Sequence, residues 1–199
     1  MCGIVAAVAD RSVAGILLEG LQRLEYRGYD SAGLAVIRPG GGIDLRRKVG
    51  KVRQLADDCA ARPADGRIGI AHTRWATHGA PSERNAHPHM SGDRVALVHN
   101  GIIENHEVLR EELRGLGYVF ASQTDTEVIV HLIATSRYPT LLDRFVDALR
   151  MIEGAYSLVC MTPKRMIACR DPLGIRPLVM GKIGDATVFA SETVALDVV

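Results

Sequence analysis

The sequence predicts an α+β domain with two predominantly antiparallel sheets. Short β-branched apolar runs come in groups, and amphipathic helical stretches come in adjacent groups, which favours sheets layered with helices over strict βαβ alternation. At 199 residues the chain is near the ~150 residues of one ordinary domain. Folding at that size buries about 70% of the unfolded chain's surface, enough for a core without disulfide staples. The sequence has no internal repeat and no low-complexity segment.

The elements follow in order. Residues 2–9 are a continuous apolar run of strand length, with Ile4, Val5 and Val8 favouring a buried strand. Apolar positions 13, 16, 17, 21 and 24 repeat with helical spacing until Arg27-Gly28. Residues 31–37 and 43–49 read as a hairpin about Pro39-Gly40-Gly41-Gly42. Val52, Leu55, Ala56 and Cys59 then share one face of a short helix. Residues 67–73 and 94–99 read as buried strands, joined by about twenty residues rich in Gly, Pro, Ser, Asn and His, a length typical of functional loops. A helix over residues 104–116 uses apolar positions 108, 109, 113 and 116 with Asn105 as cap. Thr124-Asp125-Thr126-Glu127 matches a capping box ahead of Val128, Ile129, Leu132 and Ile133. A further helix follows Pro139, with Leu141, Leu142, Phe145, Leu149 and Ile152 on one face. Residues 155–161, 166–170, 178–182 and 187–190 close the chain as short strands.

Composition narrows the function. Lys+Arg 24 against Asp+Glu 23 leaves a net charge of +1, so no general field draws the chain to phosphate backbones or an acidic membrane surface. The one basic run, Arg46-Arg47-Lys48 with Lys51 and Arg53, reads as a solvated strand edge. No stretch approaches the ~20 apolar residues of a membrane span. Residues 1–9 lack the basic start of a secretory signal. A cytoplasmic protein that binds neither nucleic acid nor membrane is expected. Cys59, Cys160 and Cys169 read as core thiols, without C-x-x-C or finger spacing.

Cys2 differs because it directly follows the initiator. Removal of Met1 would give Cys2 a free α-amine of pKa ~7.7 to 8.0, a base beside a nucleophilic thiol. Position alone leaves an inert buried thiol open. Arg74 in His72-Thr73-Arg74-Trp75-Ala76-Thr77-His78-Gly79 suits bidentate capture of a carboxylate, with Thr77 adding a donor. His99-Asn100-Gly101 closes a strand, where an amide and a neighbouring N–H can point at one oxygen, although Asn-Gly is also a common hairpin turn. Asp125 suits an ammonium group or the first turn of a helix. His72, His78, His87 and His89 are an alternative zinc set, without the carboxylate pattern that would support it; no metal or cofactor is expected.

Five ordered segments carry a specific resemblance: Met1-Cys2-Gly3-Ile4-Val5, residues 24–33 with Tyr26-Arg27-Gly28-Tyr29-Asp30-Ser31, residues 72–79, residues 99–105 and Thr124-Asp125-Thr126-Glu127. Together they closely resemble the glutaminase domain of the glutamine–fructose-6-phosphate aminotransferases, from residue 1 to about 194. The resemblance implies a four-layer αββα sandwich of the N-terminal nucleophile hydrolase type and hydrolysis of the γ-amide of L-glutamine. It implies Cys2 as nucleophile and base, and Asn100 with the Gly101 N–H as oxyanion hole. Arg74, Thr77 and His78 would hold the α-carboxylate of glutamine and Asp125 its α-ammonium. Trp75 would lie beside the ammonia exit and Arg27 in a segment that moves on closure. Amidophosphoribosyltransferase and asparagine synthetase share the chemistry, but the stretch around Tyr26 is similar to the sugar-phosphate enzyme. On this reading residues 1–199 are the glutaminase domain alone, the sugar-isomerase domains of a homodimeric enzyme being absent. Retention of Met1 would instead point to a non-catalytic interaction domain.

Overall fold

The computed structural model describes residues 2–76 and 79–197; the expected carboxylate ligands Thr77 and His78 lie outside them. Ten strands form two antiparallel sheets. The first has the order β3-β2-β4-β1-β10-β9, built from β1 (Gly3–Val8), β2 (Ser31–Ile37), β3 (Ile43–Val49), β4 (Ile68–Arg74), β9 (Val179–Ile183) and β10 (Ala186–Ala190). The second runs β5-β6-β7-β8, from β5 (His89–Ser91), β6 (Val95–Ile103), β7 (Gly154–Thr162) and β8 (Arg165–Arg170).

Three apolar clusters stack these elements into four layers. Helices α1 (Ala14–Leu24) and α2 (Val52–Ala61) cover the outer face of the first sheet through Leu17, Leu21, Leu24 and Leu55. Ile4, Ala6, Ile70, Val98 and Val159 join the two sheets. Helices α3 (His106–Gly115), α4 (Thr126–Thr135) and α5 (Leu141–Met151) cover the second through Leu109, Leu113, Ile129, Ile133 and Phe145. On the central strands, buried on both faces, successive side chains go alternately to a helix layer and to the space between the sheets. The expected α+β architecture is therefore an αββα sandwich.

Several local expectations change. The strand expected to end at His99 runs on to Ile103, because Asn100 through Ile103 pair in register with residues 154–157 of β7; Asn100-Gly101 is strand, not turn. The Asn105 side chain does not cap α3 but bonds the Met151 carbonyl and the Glu153 N–H, tying α3 to the end of α5. Only Leu109 and Leu113 of its apolar positions are buried, whereas Val108 and Leu116 face outward. The capping box does not close: Glu127 turns back to accept from the Ala121 and Ser122 amides at 2.8 and 2.7 Å, and Thr124 Oγ1 meets His89 Nε2 at 2.9 Å. The cap that does form is Thr140, which accepts from Asp143 N at 3.1 Å. Leu142 of α5 is 53% exposed. The basic run lies on the edge strand β3 as expected, but Arg46 is packed beneath α2 against Asp44 at 2.8 Å and Asp58 at 3.4 Å instead of being solvated.

Gly33 in the middle of β2 is opposite His72 of β4 and lets the chain before Pro88 lie against the sheet. A Cβ there would sit 2.2 Å from the His87 carbonyl oxygen and 2.7 Å from that of Arg46, both backbone atoms with no room to yield. Gly15 on the exposed side of α1 has nothing within 4 Å. In urea unfolding, Gly33→Ala is expected to lose more than about 2 kcal/mol and Gly15→Ala to gain roughly 0.5–1 kcal/mol from helix propensity. Equal effects would contradict this packing.

Candidate active site

Cys2 immediately precedes β1, which lies between β4 and β10, so its side chain emerges at one end of the first sheet. Gly3 pairs with Thr73, and the chain after β4 therefore passes the sulfur. Trp75 brackets Cys2 Sγ with its backbone: its N–H lies 3.3 Å from the sulfur and its carbonyl 3.5 Å. The Trp75 indole is half exposed and packs edge-on to Tyr29 at 5.5 Å. Burial pushes the Cys2 thiol pKa up, against the opposing pull of the Trp75 N–H and the Arg74 charge. The resting sulfur is thus a protonated thiol that needs a base.

The second sheet brings the donors. Asn100, on β6 and 4% exposed, places Nδ2 at 3.2 Å from the Cys2 carbonyl oxygen and 2.9 Å from Ser191 Oγ. Gly101 is opposite Tyr156, whose backbone N–H and C=O both engage Asp171, at 3.3 and 2.8 Å. Gly101 is then a non-hydrogen-bonded position, and its N–H points away from β7. Ile103, two residues on with the same sense, donates to Asp125 Oδ2 at 2.9 Å. Gly101 has φ +149, and a Cβ would sit 2.0 Å from the Ala155 carbonyl oxygen, so glycine is required there for close backbone approach.

Two buried charges complete the wall. Arg74, 3% exposed at the end of β4, donates to the Gly79 carbonyl at 3.0 Å and lies 3.9 Å from Asp30 Oδ1. Asp30 also accepts from Ser31 Oγ at 2.8 Å and from the Ala76 N–H, so it fixes the start of the loop after Trp75. Asp125, 4% exposed just ahead of α4, is held by the Ile103 N–H and lies 3.9 Å from His99 Nδ1. Cys2, Arg74, Trp75, Gly101, Asp125 and Thr126 line a narrow cleft with His87, His99 and Thr124. A larger apolar hollow between α3, α4 and α5 contains none of the expected site residues.

Arg27 is outside the cleft wall. Its Nε donates to the Cys2 carbonyl at 2.9 Å, while its guanidinium pairs with Glu192, which also accepts from Tyr26. No local pattern marks Ser191 or Glu192, because β1–β10 pairing brings them across nearly the whole chain. Asp30 lies in the Tyr26–Ser31 segment, where the resemblance implies no role for it. Among the described residues no group of three or more His, Cys, Asp or Glu is arranged to hold a metal ion, and no helix is long and apolar enough to cross a membrane.

The αββα sandwich with residue 2 at the end of a central strand is the architecture of the N-terminal nucleophile hydrolases. Within that class the chain belongs to the glutamine amidotransferase domain family, whose pattern matches residues 72–198. It is 57% identical over 201 aligned positions to a glutamine–fructose-6-phosphate aminotransferase (isomerizing) of Pseudomonas putida, and 52% identical to that of Escherichia coli K12. Each alignment covers 98% of this chain and 32% of the relative, so the chain spans about a third of their length. Among solved structures it superimposes on glutamine phosphoribosylpyrophosphate amidotransferase from B. subtilis with a TM-score of 0.89, 34% identity, and coverage of 99% of this chain and 43% of that one. A class-II glutamine aminotransferase domain protein from Silicibacter pomeroyi, 15% identical, shares the fold with a TM-score of 0.69 over 95% of this chain and 88% of that one.

His72, His87 and His89 are buried near the cleft, and burial holds all three imidazoles neutral, with pKa values pushed down to about 3 for His72 and His89. The unfolded chain takes up protons on these side chains below pH ~6.5 while the folded chain does not. Stability is therefore fully present above that pH and falls as pH drops toward 3, by up to about 1.4 kcal/mol per pH unit for each histidine. Urea midpoints at pH 7, 6 and 5 should decline with increasing slope; an unchanged midpoint at pH 5 would refute neutral burial.

Proposed function

We propose that this chain hydrolyses the γ-amide of L-glutamine to glutamate and ammonia through a thioester at Cys2. We further propose that residues 1–199 act as the ammonia-supplying domain of a longer, cytoplasmic, dimeric enzyme. Its sugar-isomerase domains would aminate fructose 6-phosphate to glucosamine 6-phosphate. The observation that carries the reading is the convergence around Cys2 of a chain-start thiol, the Asn100 and Gly101 amides and one buried pair of opposite charges. Family membership and the aminotransferase relatives support the same chemistry.

With Met1 removed, the Cys2 α-amine takes the thiol proton as sulfur attacks the amide carbon. The oxygen of the tetrahedral adduct becomes negative and is stabilised by the Gly101 N–H and by Asn100 Nδ2, which gives up one of its bonds to the Cys2 carbonyl or Ser191 Oγ to reach it. The α-ammonium passes its proton to the leaving nitrogen, the C–N bond breaks, and ammonia departs beside Trp75. Water then adds to the thioester with the amine again as base, and collapse releases glutamate and the thiol. Arg74 with Thr77 and His78 holds the substrate carboxylate and Asp125 its ammonium. A zwitterion needs such local opposite charges and no net field. Arg27 holds the Cys2 carbonyl and so fixes the backbone from which the thiol attacks.

Intact mass should show loss of Met1, and Cys2→Ala should lower glutamine hydrolysis by at least about 10³-fold. Full activity of Cys2→Ala would sink the covalent mechanism, and a processed chain that binds a partner but releases no glutamate would favour the interaction-domain reading. Arg74→Ala and Asp125→Ala should each raise KM for glutamine about 10- to 100-fold, the range of a charged hydrogen bond. Because the amine must be neutral, kcat/KM should rise with pH and level off above about pH 8. A profile flat from pH 6 to 9 would exclude the amine as base.

A further inference from the structure

We infer that His72 is a positioning residue for Asn100: its Nε2–H holds the Asn100 side-chain oxygen and so keeps the amide nitrogen facing Cys2. The inference rests on the reading of Asn100 as an oxyanion donor.

His72 is fully buried on β4 of the first sheet and reaches across to β6 of the second. Its Nε2 lies 3.0 Å from the His99 carbonyl oxygen and 3.0 Å from Asn100 Oδ1. A carbonyl only accepts, so Nε2 must carry the hydrogen. The Asn100 atom facing a donor must then be its oxygen. The other end of the amide obeys the same rule, since the atom 3.2 Å from the Cys2 carbonyl oxygen has to be nitrogen. Two backbone carbonyls, one from each sheet, thus set the sense of the Asn100 amide, and His72 transmits one of them. Nδ1 of His72 has no hydrogen-bond partner among the described residues.

The arrangement also affects strength. Donation into Oδ1 polarises the amide and makes the Nδ2 hydrogens better donors, an effect that grows when negative charge appears beyond them. His72 touches neither Arg74's proposed carboxylate partner nor Asp125, so its influence belongs to the chemical step and not to glutamine binding. Burial, which keeps this imidazole neutral down to about pH 3, preserves the single-hydrogen form throughout the working range.

Two variants separate the donor from the bulk of the ring. His72→Gln retains an N–H donor at a similar reach, whereas His72→Met fills the space without one. The Gln variant should keep kcat within about 3-fold of the parent, and the Met variant should lose roughly 10- to 100-fold in kcat with KM for glutamine within about 3-fold. Parental kcat in a folded His72→Met protein would overturn the inference, as would equal losses in two folded variants. Nitrogen-15 NMR of histidine-labelled protein provides a readout independent of activity and of variant folding. A protonated Nε2 and bare Nδ1 at His72 from pH 6 to 8 are expected; the opposite tautomer would overturn the inference. If the parent chain releases no glutamate from glutamine, the glutaminase reading fails while the NMR result still decides the His72–Asn100 contact.

Discussion

Because β1 pairs with β4 on one side and β10 on the other, residue 2 leaves the first sheet at the middle of its end and not at an edge. Every other part of the site takes its place from that pairing. Register with β4 brings Arg74 and Trp75 past the sulfur, and register with β10 brings Ser191 against Ile4 and Asn100. The small side chains Ala6, Ala35 and Ala96 between the sheets let β1 and β6 approach closely enough for an Asn100 side chain to reach the Cys2 backbone. A shift of β1 by one residue would exchange Ile4 and Val5 between the two cores, so the hydrophobic pattern itself guards the position of the thiol.

Polar groups in this region are sorted by charge. The buried histidines His72, His87 and His89 are neutral and bond hydroxyls or carbonyls, as His87 does to Thr126 Oγ1 at 2.8 Å and His89 to Thr124 Oγ1 at 2.9 Å. The charged groups of the cleft are held in place by neighbours, Arg74 with Asp30 beside it and Asp125 with the Ile103 amide. Burying an imidazole with a satisfied hydrogen bond costs far less than burying an ion. The interior can therefore be polar enough to orient Asn100 without a field that would distort the binding of a zwitterion.

Much of this was legible in the residues. The hairpin of β2 and β3 follows from its glycine cluster, and α1 from its helical period, because local pattern and tertiary burial agree there. The pattern misled where a side chain had a stronger partner than its own helix: Asn105 serves Met151 and Glu153, and Glu127 serves the loop at Ala121 and Ser122. Asn100-Gly101 carries the composition of a tight turn but lies in a strand, since pairing with β7 outweighs a two-residue preference. Cys2, Arg74 and Asp125 stand out by residue type and motif, and all three line one cleft. His72 and Ser191 do not, because their contacts with Asn100 are encoded by no spacing along the chain.

The bonds between Ile4 and Ser191 join residues 187 positions apart, through Ile4 N to Ser191 Oγ at 2.8 Å and Ser191 N to the Ile4 carbonyl at 3.0 Å. The same hydroxyl accepts from Asn100 Nδ2. A polypeptide that ended short of β10 would leave β1 as a bare sheet margin, with a row of unmatched amides and carbonyls able to recruit a foreign strand. Pairing of β1 with β10 thus both positions the residue that carries the thiol and closes that margin.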